Sequence, residues 1–287
     1  MKAGHMTIDY AAYATELEQQ RQVRAAALLE DRSWLTLAGL YWLHAGKNTF
    51  GAQATNAIVL PGADLPDVAG QLDFDGETVR LEVAPDVTVT VNGTPATRQL
   101  LAHDLTPTPD YFTIGPVTLV VIRRGQRYGI RLWDQRSPAR QHFTGLRWYP
   151  IDPAYQVEAT FVPYEPPKVI RYANVLGDMM ESSSPGQIRF AWDDEEYFLD
   201  AESRGDHLFF NFRDTTNGDI TYPSGRFLYT AGPQEGKVTL DFNQATNPFC
   251  AYTDFATCPL PPPQNRLPFR VEAGEMNFPR QPNRHMI

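Results

Sequence analysis

At 287 residues the chain is too long for one small core and suits either two domains or one large β domain. Its 42% hydrophobic and 21% charged residues are ordinary for a soluble globular protein. A net charge of −9 argues against nucleic acid, which selects a basic face, and equally against an anionic membrane surface. No apolar run approaches membrane-span length. The opening MKAGHMTIDYAAY has no apolar signal-peptide core, and two cysteines are too few for a disulfide framework, so the expected compartment is the cytoplasm.

Residues Met1–His5 are set aside, with Met6 taken as the natural start. The spacing of Tyr10, Tyr13 and Leu17 predicts a helix over residues 8–30, capped by Thr7 or Asp9. Ala14, Ala25, Ala26, Ala27, Leu28 and Leu29 favour it, and its charged middle, ELEQQRQVR, is expected to be solvated. Such an amphipathic helix serves as a packing arm or as the contact of a homodimer.

From Trp34 the pattern changes to short strands separated by Gly, Pro and Asn. Strands are expected at Asn48–Phe50, Ala57–Leu60, Gly70–Phe74, Thr78–Val83, Val87–Val91, Tyr111–Ile114, Val117–Arg123 and Tyr128–Trp133. Val87, Val89 and Val91 alternate with Thr88 and Thr90, a half-buried strand ending in the Asn92-Gly93 turn. Turn signals about every ten residues imply an antiparallel sandwich. The stretches GKNTFGAQATNAIVLPGA and TVNGTPA, within residues 45–133, resemble the turns of a forkhead-associated (FHA) domain. The resemblance implies the fold. Ala52 stands where that family has arginine, and LPDVAGQLD where it has a serine and then a histidine, so phosphothreonine binding is not expected to carry over.

Residues 134–167 contain Pro150, Pro153, Pro163, Pro166 and Pro167 and read as a strap between halves. Strands resume over residues 168–243, with Ser182–Ser184 as a loop and Asp193–Glu196 as an acidic turn. They predict a second antiparallel sandwich or partly closed barrel. The expected organisation is therefore all-β, with a helix in 1–30, an FHA-like sandwich in 31–147 and a second β domain in 148–287.

In the last two strands, matching apolar faces puts Arg226 beside Asp241 and Asn243 on one hairpin face, with Arg213 in reach. The segment after them, DFNQATNPFCAYTDFATCPLPPPQNRLPFRVEAGE, is too proline-rich for helix or central strand and is expected to roof that face. Together with FRDTTNGDITYPSGRFLYT and EDRSWLTLAGLYWLHAGKNTFG it resembles the bacterial and archaeal domain of unknown function 1684 family, over about Asp31–Glu275. That resemblance brings a fold expectation and no mechanism.

No nucleophile elbow, Walker loop or dinucleotide fingerprint occurs, and no cofactor is expected. Cys250 and Cys258, eight positions apart without partner ligands, do not make a zinc site; they read as buried thiols, with a small-loop disulfide as the alternative in an oxidising compartment. What remains is Arg213, Arg226, Asn243, Asn247, Asn265 and Arg266 as grips for a small anionic ligand, with Asp241 as a general base. The competing reading makes Arg226–Asp241 a structural ion pair and the asparagines loop caps. A further alternative is a protein-interaction module on the FHA-like sandwich.

Overall fold

The computed structural model describes residues 9–279. They form two compact units, Ala26–Phe143 and the described residues of Met1–Ala25 with Thr144–Ile287. The architecture is all-β with one long helix, α1 (Tyr10–Ala27). Asp9 caps α1, its Oδ1 accepting from the Ala11 and Ala12 amides at 3.1 and 3.3 Å. The alternative cap, Thr7, lies outside the described residues.

The first unit holds β1 (Leu37–Trp42), β2 (Gly46–Gly51), β3 (Ile58–Val59), β4 (Gly70–Phe74), β5 (Val79–Val83), β6 (Thr90–Val91), β7 (Thr94–Pro95), β8 (Arg98–Leu101), β9 (Tyr111–Ile114), β10 (Val117–Arg124) and β11 (Arg127–Asp134). They make two sheets, ordered β1-β11-β10-β9-β6-β7 and β3-β2-β4-β5-β8. All pairings are antiparallel except β2 with β3. Inward-facing Phe50, Leu72 and Leu81 of one sheet pack on Phe112, Leu119 and Ile130 of the other, forming one core. Phe50 meets Phe112 edge-on at 5.8 Å. Asn92 and Gly93 turn β6 into β7 with φ of 49° and 82°, as the Asn-Gly signal requires. Strands β1 and β8 escaped the sequence reading: LAGLYW and RQLL lack clean alternation.

Asn48 shows how a turn in this unit is held. It is buried, accepts from the His44 amide (3.0 Å), and donates to the carbonyls of His44 (2.8 Å) and Gly46 (3.0 Å). Asn48→Ala strands these groups and is expected to cost about 1–3 kcal/mol in urea unfolding; an unchanged midpoint would contradict the assignment.

The second unit contains β12 (Gln156–Ala173), β13 (Met179–Trp192), β14 (Glu195–Asp200), β15 (Glu202–Arg204), β16 (His207–Phe212), β17 (Arg226–Ala231) and β18 (Lys237–Asp241). One sheet runs β14-β13-β12-β18, the other β15-β16-β17. They share a core of Ile188, Phe190, Leu199, Phe210, Leu228 and Leu240, giving a half-barrel.

Three sequence expectations need correction here. The strap of residues 134–167 is in its second half the start of β12. The prolines there interrupt the ladder without ending the strand, since pairing with β13 breaks after Pro163 and resumes at Lys168. Ser182–Ser184 are strand residues of β13, opposite Val169 and its neighbours, rather than a loop. Finally, β17 and β18 are not a hairpin. β17 pairs with β16 and β18 with β12, so the connection between them crosses from one sheet to the other. The acidic turn is as expected: Asp193 and Asp194, at φ of 48° and 65°, link β13 to β14.

Candidate functional site

The loss of that hairpin separates the two residues at the centre of the sequence reading. Arg226 and Asp241 are both buried, with different partners. Arg226, 0% exposed, points into the half-barrel beside Phe212. Its Nη2 donates to Asp214 Oδ2 at 2.6 Å and to the Val271 carbonyl at 2.9 Å; Nη1 donates to the Ala273 carbonyl at 2.5 Å. Asp214 is held in turn by the Thr216 amide and hydroxyl and the Val271 amide. The pair is structural, and its acid is Asp214.

The remaining predicted residues divide between two places. Asn265 is buried in the fold: its side chain accepts from the Asp200 amide and donates to the Asp200 and Asn211 carbonyls. Arg213 is half-buried and Arg266 exposed, and they meet through a backbone bridge. Asp241, Asn243 and Asn247 come together under helix α1, where sequence reasoning had not looked.

Helix α1 presents Tyr13, Leu17, Arg21 and Arg24 along one stripe, at spacings of four, four and three residues. Tyr13 Oη donates to both oxygens of Asp241, at 3.0 and 2.9 Å. Asp241 also accepts from the Asn243 amide (3.0 Å) and Gln244 Nε2 (3.0 Å). Asn243 Nδ2 donates to Tyr13 Oη (3.0 Å) and to the Asp152 carbonyl (2.8 Å). Burial first, then the neighbouring Asp241 charge, push the Tyr13 phenol far up, so it stays a neutral donor.

Three residues past Arg21, Arg24 closes a second network. Its Nε donates to Glu275 Oε2 at 2.9 Å, and its Nη2 to the Asn247 carbonyl (3.0 Å) and Tyr252 Oη (3.1 Å). Glu275, 1% exposed, accepts further from the Asn247 amide (3.0 Å), Asn247 Nδ2 (2.9 Å) and Tyr252 Oη. Asn247 therefore orients a buried carboxylate toward the helix.

Between these networks lies Arg21. Expected to be solvated, it is 8% exposed, with its guanidinium 4.7 Å over the Trp148 ring. Nη2 donates to the Tyr149 carbonyl at 3.2 Å and Nη1 meets Glu18 at 3.3 Å. Its buried Nε finds no hydrogen-bond partner among the described residues. Burial pulls its pKa below the usual arginine value, with Glu18 opposing. Arg21 lines an open cleft of about 570 Å³, with Tyr10, Ala14 and Glu18 of α1 on one wall and Pro150 and Ile151 on the other. The signal in the sequence was the stripe itself, which continues from Tyr13 and Leu17 through Arg21 to Arg24.

Among the described residues no three His, Cys, Asp or Glu side chains form a metal-ligand set. No helix among them is long and apolar enough to cross a membrane.

This architecture defines the protein as an all-β protein, a half-barrel preceded by a sandwich. A family model described as "Protein of unknown function (DUF1684)" matches residues 141–276, from the last residues of the sandwich unit through the half-barrel and its proline-rich segment. The solution NMR structure of an uncharacterized protein from Haloarcula marismortui is 36% identical, covering 48% of this chain and 79% of that one, with a TM-score of 0.41. The chain belongs to the DUF1684 family. It is also similar to the FhaA FHA domain complexed with the intracellular domain of Rv3910, at 18% identity, 32% and 96% coverage and a TM-score of 0.24. A structure from a study of phosphothreonine-dependent FHA domain interactions matches at 18% identity, 33% and 92% coverage and the same TM-score of 0.24. No curated protein matches the chain.

Proposed function

We propose that the half-barrel unit binds a small anionic molecule in the cleft beside α1, with Arg21 as its anchor. The observation that carries this reading is the state of Arg21: a nine-tenths buried guanidinium on the cleft wall whose Nε is not used by the protein. A largely desolvated guanidinium on a cleft wall is suited to a carboxylate or phosphate oxygen, because its attraction is screened less than at the surface. Glu18, with its side chain 57% exposed, is the acid the ligand would displace. The cleft volume is within the roughly 300–1,000 Å³ of small-molecule sites. Binding is favoured over hydrolysis, because Asp241, the expected base, is buried and already accepts from Tyr13, Asn243 and Gln244. We take the cytoplasm as the compartment, because two cysteines are too few for a disulfide framework.

A thermal-shift panel of di- and tricarboxylates and phosphate monoesters tests the proposal. A ligand present at 100 times its Kd adds about 2.7 kcal/mol to the folded state and raises Tm accordingly. The rise is expected in the wild type, lost in Arg21→Gln and enlarged in Glu18→Gln. A rise that survives Arg21→Gln would move the site elsewhere, and no rise across the panel would remove it.

A further inference from the structure

The two cysteines sit in the proline-rich segment, whose backbone is held by turns and isolated bridges rather than by a strand ladder. Cys250 and Cys258 are 6% and 4% exposed, and both are thiols. The Cys250 amide donates to Cys258 Sγ at 3.2 Å, and the two thiols share a hydrogen bond. The residues around them fix both ends of this contact. Tyr222 Oη donates to the Cys250 carbonyl at 3.0 Å, and the Val175 amide to the Cys258 carbonyl at 2.9 Å. The seven residues between the cysteines include Tyr252, whose hydroxyl meets both Arg24 and Glu275.

We propose that Cys250 and Cys258 form a redox-active pair that a small-molecule disulfide converts to an intramolecular disulfide, covalently closing the loop that carries Tyr252. The inference does not rest on the ligand reading of the cleft. The chemistry balances in two exchanges. The Cys250 thiolate attacks one sulfur of the oxidant R–S–S–R, forming a Cys250–S–S–R bond and releasing R–S⁻, which takes a proton to become R–SH. The Cys258 thiolate then attacks the Cys250 sulfur, forms the Cys250–Cys258 bond and expels the second R–S⁻. Overall the protein loses two protons and two electrons, and the oxidant becomes two thiols. The two thiols can exchange roles without changing the balance; the hydrogen bond to Cys250, then burial, push the Cys258 thiol up. Both sulfurs are buried, so the reaction waits on local opening of the segment and is slow relative to a surface thiol.

The test uses the full chain, kept folded and incubated with glutathione disulfide, then alkylated under denaturing conditions and weighed. The expected product has lost two hydrogens, carries no alkyl group and yields one peptide linking Cys250 to Cys258. Its Tm is expected to rise by about 5 °C, because the ring restricts the unfolded chain, and to return on addition of dithiothreitol. Cys250→Ser and Cys258→Ser are each expected to abolish the two-hydrogen loss. A fully alkylated dithiol after prolonged incubation would overturn the proposal, as would stable glutathione adducts or a disulfide that forms only in denaturant. A cross-link that leaves Tm unchanged would overturn the clamping of the Tyr252 loop.

Discussion

Arg226→Ala is expected to destabilise the protein by about 3–5 kcal/mol, the usual cost of removing one partner of a buried ion pair. The substitution leaves Asp214, with its side chain 0% exposed, without its cation. It also strips the donor from two carbonyls, those of Val271 and Ala273, which fasten the segment after the proline-rich run to the half-barrel. Asp214→Ala is expected to cost a similar amount, by stranding the guanidinium together with the Thr216 and Val271 amides. The double substitution Arg226→Met with Asp214→Leu is expected to cost less than the two single changes summed, since no orphan charge remains. Urea unfolding of the four proteins checks this. Two small single-mutant effects that add would show that the pair does not fasten this segment to the half-barrel.

Glu275→Ala should be the second most damaging change, at roughly 3–5 kcal/mol, because each buried donor that loses its acceptor costs about 1–3 kcal/mol. The carboxylate gathers Arg24, the Asn247 amide and side chain, and the Tyr252 hydroxyl. Without it, four donor groups of three residues lose their common acceptor. Arg24→Ala should cost less, because the Arg24 side chain is 25% exposed and water can replace part of its role, while Asn247 and Tyr252 still satisfy Glu275. Hydrogen exchange separates local from global effects. In Arg24→Ala the amides of α1 are expected to lose protection first, with β16 and β17 unchanged. Equal loss of protection throughout the half-barrel would mean that α1 is part of its core rather than docked on it.

Where structure is decided locally, the sequence was a good guide. The Asn92-Gly93 turn, the alternation of Val89 and Val91, and strands such as Gly70–Phe74 and Tyr111–Ile114 follow from residues a few positions apart. The all-β class and the half-barrel followed from the same patterns. Pairing of distant strands did not. Face parity put Arg226 on one face with Asp241, whereas Arg226 shares the core-facing side of β17 with Leu228, and parity is silent about which strand lies alongside. β17 and β18 looked like neighbours because they are consecutive, yet β18 is taken by the long strand β12. The true partner of Arg226 lay twelve residues upstream in a turn where Asp214 reads as an ordinary cap. The helix misled for a related reason. Arg21 and Arg24 are charged, and charge predicts solvation unless a partner is known. Their partners, the Tyr149 carbonyl and Glu275, are more than a hundred residues away. The polar set of the proline-rich segment was legible as a set, and Asp241, Asn243 and Asn247 do gather in one region. What gathers them is the chain's own N-terminal helix.

The central claim is that Arg21 anchors an anion in the cleft beside α1, and its Nε–H offers a direct probe. In nitrogen-15 NMR spectra of the arginine Nε–Hε groups, titration with citrate and, separately, inorganic phosphate is expected to shift the Arg21 signal in a saturable way. The Arg226 signal, from a guanidinium sealed in the half-barrel, is expected to stay in place. An Arg21 signal unmoved by either anion at millimolar concentration, or one that moves only in step with exposed arginines such as Arg266, would contradict the account.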